Sequence, residues 1–261
     1  MKILIKEIKK YFPYILYSTK SKLKGEVAGS YLNYLWWFIS PLCTMLIYMF
    51  VVCVVFKSKE SNFPIFVFIG LILWNYSNGV INSSSKLIKD NKQIINKVYI
   101  PKYILLIIKS FVFLFKLFIS FIITIILMFI FNISFSLKMF YFIPILITLY
   151  LITFGISTII MHLGVYIDDL GNIVNIALKF IFYFSGIFYD ILSRVPSPFN
   201  KLLITFNPIA FLISESRNVL IYNKDLNFSL IFIWFVISII INFIGLKLVH
   251  KYENSYSKVV Q

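Results

Sequence analysis

The chain has 261 residues, 60% of them hydrophobic and 19% aromatic, with a formal net charge of +15. A soluble domain is nearer about 45–50% apolar, and here runs of roughly 20 apolar residues recur, each long enough for a bilayer core of about 30 Å. Composition therefore excludes a soluble globular protein and a β-barrel, which would show short alternating segments; the basic excess belongs to loops beside a membrane and does not call for nucleic acid.

Residues 1–33 read as an amphipathic interface helix. Leu4, Ile8, Tyr11 and Ile15 fall at helical spacing, and Lys2, Lys6, Lys9 and Lys10 take the other side. This is the pattern of a helix lying in the membrane interface, with Pro13 expected to kink or divide it. Lysines interrupt its apolar residues, so no signal peptide is expected.

Six spans follow, at about 34–56, 63–82, 103–131, 139–161, 172–189 and 226–247. Trp36 and Trp37 open the first, where interfacial aromatics are favoured. Cys43 and Cys53 lie inside it and are expected as buried thiols, neither a disulfide nor a metal pair. The polar turn KSKESN leads to span two, and SSSKLIKDNKQIINKVYIPK, 83–102, separates spans two and three with a helix expected at about 84–97. Span four carries Pro144, and YIDDLGNIV joins spans four and five. Segment 190–225 is apolar but too short for two full crossings. Asn207-Pro208 is a helix start, with Asn as N-cap and Pro at the first helical position. That helix should reach about 222, and PSPFNKLLITF should form another, giving a re-entrant pair over about 196–222. A polar tail, KYENSYSKVVQ, ends the sequence.

Orientation follows from counting Lys and Arg by side. The side holding 1–33, 83–102 and the tail has 15, against 7 on the other. Both termini are thus expected in the cytoplasm. The Asp168-Asp169 segment then also faces the cytoplasm, and it is the one such segment without a basic residue.

Motifs for chemistry are few. No Gly is followed by Lys, so no phosphate-binding GxxxxGK[ST] loop exists. There is no HExxH, no Cys/His spacing for a metal and no GxSxG. Lys102, Lys109 and Lys116 are spaced by seven and share one face of span three, drifting only about 20° per step. They run roughly 21 Å from the cytoplasmic end towards mid-membrane. Lys116 should face protein or a water-filled cavity, because charge in lipid is costly. The stripe either meets an anionic substrate, such as a pyrophosphate-linked lipid, or reflects snorkelling and one internal hydrogen bond. Tyr31, Tyr34, Trp36 and Trp37 cluster at the cytoplasmic mouth, as substrate contacts or as interfacial anchors. Asp168 or Asp169 suits the N-terminal cap of span five.

These pieces together resemble the ABC type-2 transporter permeases that export polysaccharides of the O-antigen, capsule and teichoic acid kinds. GSYLNYLWWFISPL (29–42) is similar to the family's Gly-x-Leu-Trp…Pro approach to the first span, with Asn33 where a Gly is common. NKVYIPKYILLI (96–107) resembles the stretch after the first coupling loop. YIDDLGNIV (166–174) resembles an Arg-Asp-Leu stretch, with Asp168 in the Arg position. FSGIFYDI (184–191) resembles Ser-Pro-Ile-x-Tyr, with Gly186 in place of Pro, and FNPIAFLISESRNVLI (206–221) an external Asn-Pro…Arg helix.

The resemblance implies a homodimer that binds two copies of a separate ATPase. ATP and Mg would sit in that partner, with no cofactor in this chain and no catalytic residue. Docking would fall on Lys86, Lys89, Asp90 and Lys92 and on Asp168 and Asp169, with a Lys or Arg of the partner opposite Asp168. Asn207, Pro208 and Arg217 would belong to external gate helices. A polyprenyl-pyrophosphate-linked polysaccharide would cross the bacterial plasma membrane, entering between spans one and five. The alternatives are an ABC type-2 permease for a small drug or lipid, and a membrane enzyme acting on polyprenyl phosphates through the Asp pair.

Overall fold

The structure is a computed structural model describing residues 2–55 and 62–259, and all its regular structure is helical. Helix α1, Lys2–Val27, runs unbroken through Pro13. Pro13 and Lys9 lie on the exposed face, so the carbonyl that loses its amide partner is left to solvent and the helix is not divided. A 3-10 turn, Asn33–Leu35, leads into α2, Trp36–Met49, which continues as a π-turn, Phe50–Val55. Asn33 has φ +46, a left-handed value that Asn tolerates and Gly favours. This accounts for Asn33 standing where the resemblance has Gly. Residue 56 and most of the turn KSKESN lie outside the described residues.

Helix α3, Phe63–Ser84, is buried on nearly every side and forms the axis of the bundle. Two short helices follow, α4, Leu87–Asp90, and α5, Lys92–Lys97, in place of the single helix expected at 84–97. Helix α6 is Lys102–Ile130; a 3-10 turn, Leu137–Tyr141, opens α7, Phe142–Tyr166. Helix α8 is Leu170–Phe184, α9 Ile191–Arg194, α10 Phe199–Phe206, α11 Pro208–Leu220 and α12 Phe228–Val259.

Among the described residues, five stretches are long and apolar enough to cross a membrane: Asn33–Val54, Phe63–Ser84, Lys102–Ile130, Leu137–Tyr166 and Phe228–Tyr256. The expected fifth of six spans, 172–189, is a shorter apolar helix of 15 residues. It covers about 22 Å and ends where Ser185 leads into Gly186 at φ +63. Residues 251–259, part of the expected polar tail, continue α12. The segment contains no Gly or Pro, and hydrogen bonds tie it to the body: His162 Nδ1 to Tyr256 Oη at 2.6 Å, and Tyr166 Oη to Ser255 Oγ at 2.9 Å.

The close pair of the bundle is α7 with α12. Gly155 faces Ile241 and Asn242, and Gly245 faces Thr158, so the backbones approach as small residues allow in membranes. Asn242 Nδ2 donates across the pair to Leu151 O at 2.7 Å. Both described ends of the chain meet at one end of the bundle. There Tyr103 donates to Glu7 Oε2 at 2.6 Å and Tyr99 donates to Glu253 Oε1 at 2.9 Å. Cys43 and Cys53 are free thiols, but Cys43 is exposed and Cys53 only half-buried, because α2 packs few residues against its own chain.

Candidate functional site

Helix α1 lies along the first half of α6. Glu7 meets Tyr103 near its start, and Glu26 pairs with Lys116 at 2.6 Å near its end. Helix α6 has 29 residues, roughly 43 Å, about 13 Å more than a bilayer core needs. Trp37 packs edge-on against Phe115 at 5.3 Å. Lys116 therefore lies beside the opening of the first span, where Trp36 and Trp37 share a cavity wall with it.

Two cavities flank this point. The first, about 210 Å³, is lined by Trp36, Trp37, Ser40, Asn75, Tyr76, Lys116 and Ser120, among others. The second, about 430 Å³, opens beside Asn82, Ser83, Lys86, Asp90, Asn172 and Asn175. Phe113 lines both. Its ring fills the space left by Gly79, where a built Cβ would stand 2.2 Å from ring carbon Cε1. Lys109 Nζ is 5.6 Å and Lys116 Nζ 5.1 Å from the centre of the same ring, within cation–π range. Lys22 sits nearby, its ammonium pushed down by burial and by the Lys109 charge, against the opposing pull of Asp90.

The structure thus gathers Trp36, Trp37, Lys109 and Lys116 around Phe113 and leaves other expected residues apart. Lys102 is buried, donates to Ile100 O at 3.3 Å and lies over Tyr99. Tyr31 is fully exposed, and Tyr34 packs on Trp37 at 5.1 Å. Sequence reasoning alone does not mark Glu26, Tyr76 or Phe113. Phe113 does carry a signal, since it lies four residues after Lys109 and three before Lys116 and so shares their face. Among the described residues there is no His, Cys, Asp and Glu grouping fit for a metal.

Between α4 and the joint of α7 and α8, Lys89 donates to Asp168 Oδ1 at 2.5 Å. Asp168 thus has a counter-charge within the chain. This hydrogen bond, and then the Lys89 charge, hold the Asp168 carboxyl below its usual range. A depressed carboxyl keeps its tie at neutral pH and loses it only as the pH falls below the ordinary carboxylate range. Asp168→Asn should accordingly make Lys89 several-fold more reactive to acetylation at neutral pH, read by mass spectrometry; an unchanged rate would remove the tie. Asp169 stands at the N-cap of α8, but its backbone carbonyl, and not its carboxylate, accepts from Asn172 N. Lys86 and Asp90 line the larger cavity, and Lys92 opens α5.

On the other side of the bundle, Asn207 caps α11, accepting from Ile209 N at 3.1 Å and Ala210 N at 3.2 Å. Pro208 takes the first helical position. Arg217 is 4% exposed and stands inside the fold. It donates to Phe66 O at 3.0 Å, Gly186 O at 2.7 Å and Ile187 O at 2.8 Å, and its guanidinium lies 3.4 Å from the Phe66 ring centre.

The family described as ABC-2 type transporter matches residues 16–221. Two proteins of Klebsiella pneumoniae, each named O-antigen export system permease protein RfbA, are 27% and 28% identical over 251 residues, covering 95% of both chains. A protein of Myxococcus xanthus with the same name is 24% identical over 223 residues, 83% of both chains. With the family matched across most of its length and five helices fit to cross a bilayer, this chain is a multi-pass membrane protein of the ABC-2 type transporter family.

Proposed function

We propose that this chain is the membrane permease subunit of an ATP-driven exporter that carries a polyprenyl-pyrophosphate-linked polysaccharide outward across the bacterial plasma membrane. The observation that carries this reading is the likeness, over 95% of both chains, to proteins named as O-antigen export permeases. The chain acts as a homodimer with two copies of an ATPase, which holds ATP and Mg, since no phosphate-binding loop occurs in the sequence. Six segments cross, with the short α8 as the fifth, and α10 and α11 form the external gate. Both termini face the cytoplasm, in keeping with the meeting of Glu7, Tyr99 and Glu253 at one end of the bundle. The ATPase docks there, on α4, α5 and the Asp168-Asp169 joint. The phosphate of the lipid carrier passes the Lys116 cavity, where aromatic rings and one ammonium meet beside the opening of the first span.

The test is co-purification. Tagging the chain should bring down an ATPase with a Walker motif in fixed stoichiometry, and deleting the gene should empty the cell surface of one glycan. A chain that purifies alone, in cells whose surface glycan survives the deletion, would end the proposal.

A further inference from the structure

Lys116 is held by two contacts of different kinds. Its ammonium rests 5.1 Å from the Phe113 ring and pairs with Glu26 Oε2 at 2.6 Å. Both side chains of the pair are about one-third exposed, at 33% and 35%, so the pair sits at the rim of the protein and not in its core. Exchange of one anion for another is therefore open sterically. The cavity beyond Lys116 is lined by polar groups that can donate. Tyr76 lines it, is 2% exposed, and its hydroxyl finds no hydrogen-bond partner among the described residues. Ser40, Asn75 and Ser120 add hydroxyl and amide groups on the same walls. A buried hydroxyl without a partner is costly unless something else satisfies it.

Glu26 lies in α1, one residue before that helix ends, and the segment 28–32 joins it to the turn before α2. The residue that neutralises Lys116 is thus carried on the element facing the interface. A carboxylate and a phosphate compete for an ammonium on the same terms, and the more highly charged group wins.

We infer that Glu26 is the resting counter-ion of Lys116 and is displaced by the phosphate group of the incoming lipid carrier, which then takes the Tyr76 hydroxyl as a second donor. The inference rests on reading the Lys116 cavity as part of the substrate path. Glu26 sets a threshold. A singly charged phosphate of an ordinary bilayer lipid gains little by exchanging with a carboxylate, whereas a diphosphate gains the additional charge. Displacement also frees the end of α1 from α6, so occupancy of the cavity is reported to the cytoplasmic side along the helix that touches Tyr99 and Tyr103.

Farnesyl diphosphate binding to the full chain in detergent, read by tryptophan fluorescence because Trp36 and Trp37 line the cavity, tests this, with farnesol as the uncharged control. Glu26→Gln should bind the diphosphate about fivefold more tightly, the size of a partly exposed ion pair, with farnesol unchanged. Lys116→Gln should weaken the diphosphate, and adding Glu26→Gln to it should change nothing further. If Lys116→Gln weakens binding while Glu26→Gln leaves it equal or weaker, the counter-ion role is overturned and the substrate path stands. The counter-ion role also falls if Glu26→Gln tightens farnesol equally, or tightens the diphosphate without Lys116. If Lys116→Gln leaves diphosphate binding unchanged, the substrate-path reading of the cavity falls, and the inference with it.

Discussion

Gly164→Ala should be among the most damaging single-methyl changes in this protein. A Cβ built at Gly164 would stand 2.0 Å from Ser85 O, 2.9 Å from Ser85 C and 3.2 Å from Ser85 Cα. All three are backbone atoms, so no rotamer change relieves the clash; either α7 or the end of α3 must move. Overpacking that a side chain can absorb costs about 1–3 kcal/mol, and a backbone-on-backbone clash should reach or exceed the upper end. The position adds a functional cost. Ser85 lies at the start of one segment proposed to dock the ATPase and Gly164 at the start of the other, and the Lys89–Asp168 pair bridges the same two segments. Forcing them apart separates two surfaces that an ATPase would have to engage together. The expected results are a large drop in the thermal midpoint in detergent and faster acetylation of Lys89. Gly171→Ala is the matched comparison: its Cβ would meet Lys86 Cε at 3.1 Å, the far end of a flexible side chain, and should be nearly neutral. If Gly164→Ala is as mild as Gly171→Ala, the two segments do not pack as described.

That contrast shows what a sequence makes legible and what it hides. The long spans are legible because lipid forces every backbone group into a helix and every long run to be apolar. The Asn207-Pro208 start is legible because capping is local. The extension of α12 to Val259 is not: its residues lack an apolar run, and its partners His162, Tyr166 and Tyr99 come from distant segments. Helix α8 looks longer in sequence because apolarity continues through FSGIFY, while the chain turns at Gly186. The site is half legible. Spacing puts Lys109 and Lys116 on one face, but Glu26 lies in the unremarkable KGEVAG, ninety positions from its partner Lys116, and only the docking of α1 along α6 joins them. Gly79 and Gly164 look like ordinary helix glycines until Phe113 and Ser85 are seen against them.

Arg217→Met should be the other severe change, and its consequence should be structural, with loss of transport following from it. The side chain joins three elements: Phe66 O belongs to α3, Gly186 O and Ile187 O to the turn after α8, and Arg217 itself to α11. Gly70 clears its path, since a Cβ there would stand 2.9 Å from Nη2. Three carbonyls around a buried guanidinium lose a charged donor at once. Each such hydrogen bond is worth about 1.5–3 kcal/mol, so a total loss of several kcal/mol is expected even after partial relaxation. The turn at 185–187 should come loose first, because it has no helical hydrogen-bond ladder of its own, and α10 and α11 would lose their anchor to the central α3. Protease cleavage between 185 and 198 should accelerate, and the thermal midpoint should fall. Arg217→Lys should restore little, because a single ammonium cannot span carbonyls from two elements as the planar guanidinium does. Full stability in Arg217→Lys would mean that charge alone matters there, and full stability in Arg217→Met would show that α11 is held by its apolar face, with Phe211, Leu212 and Val219 buried against the bundle.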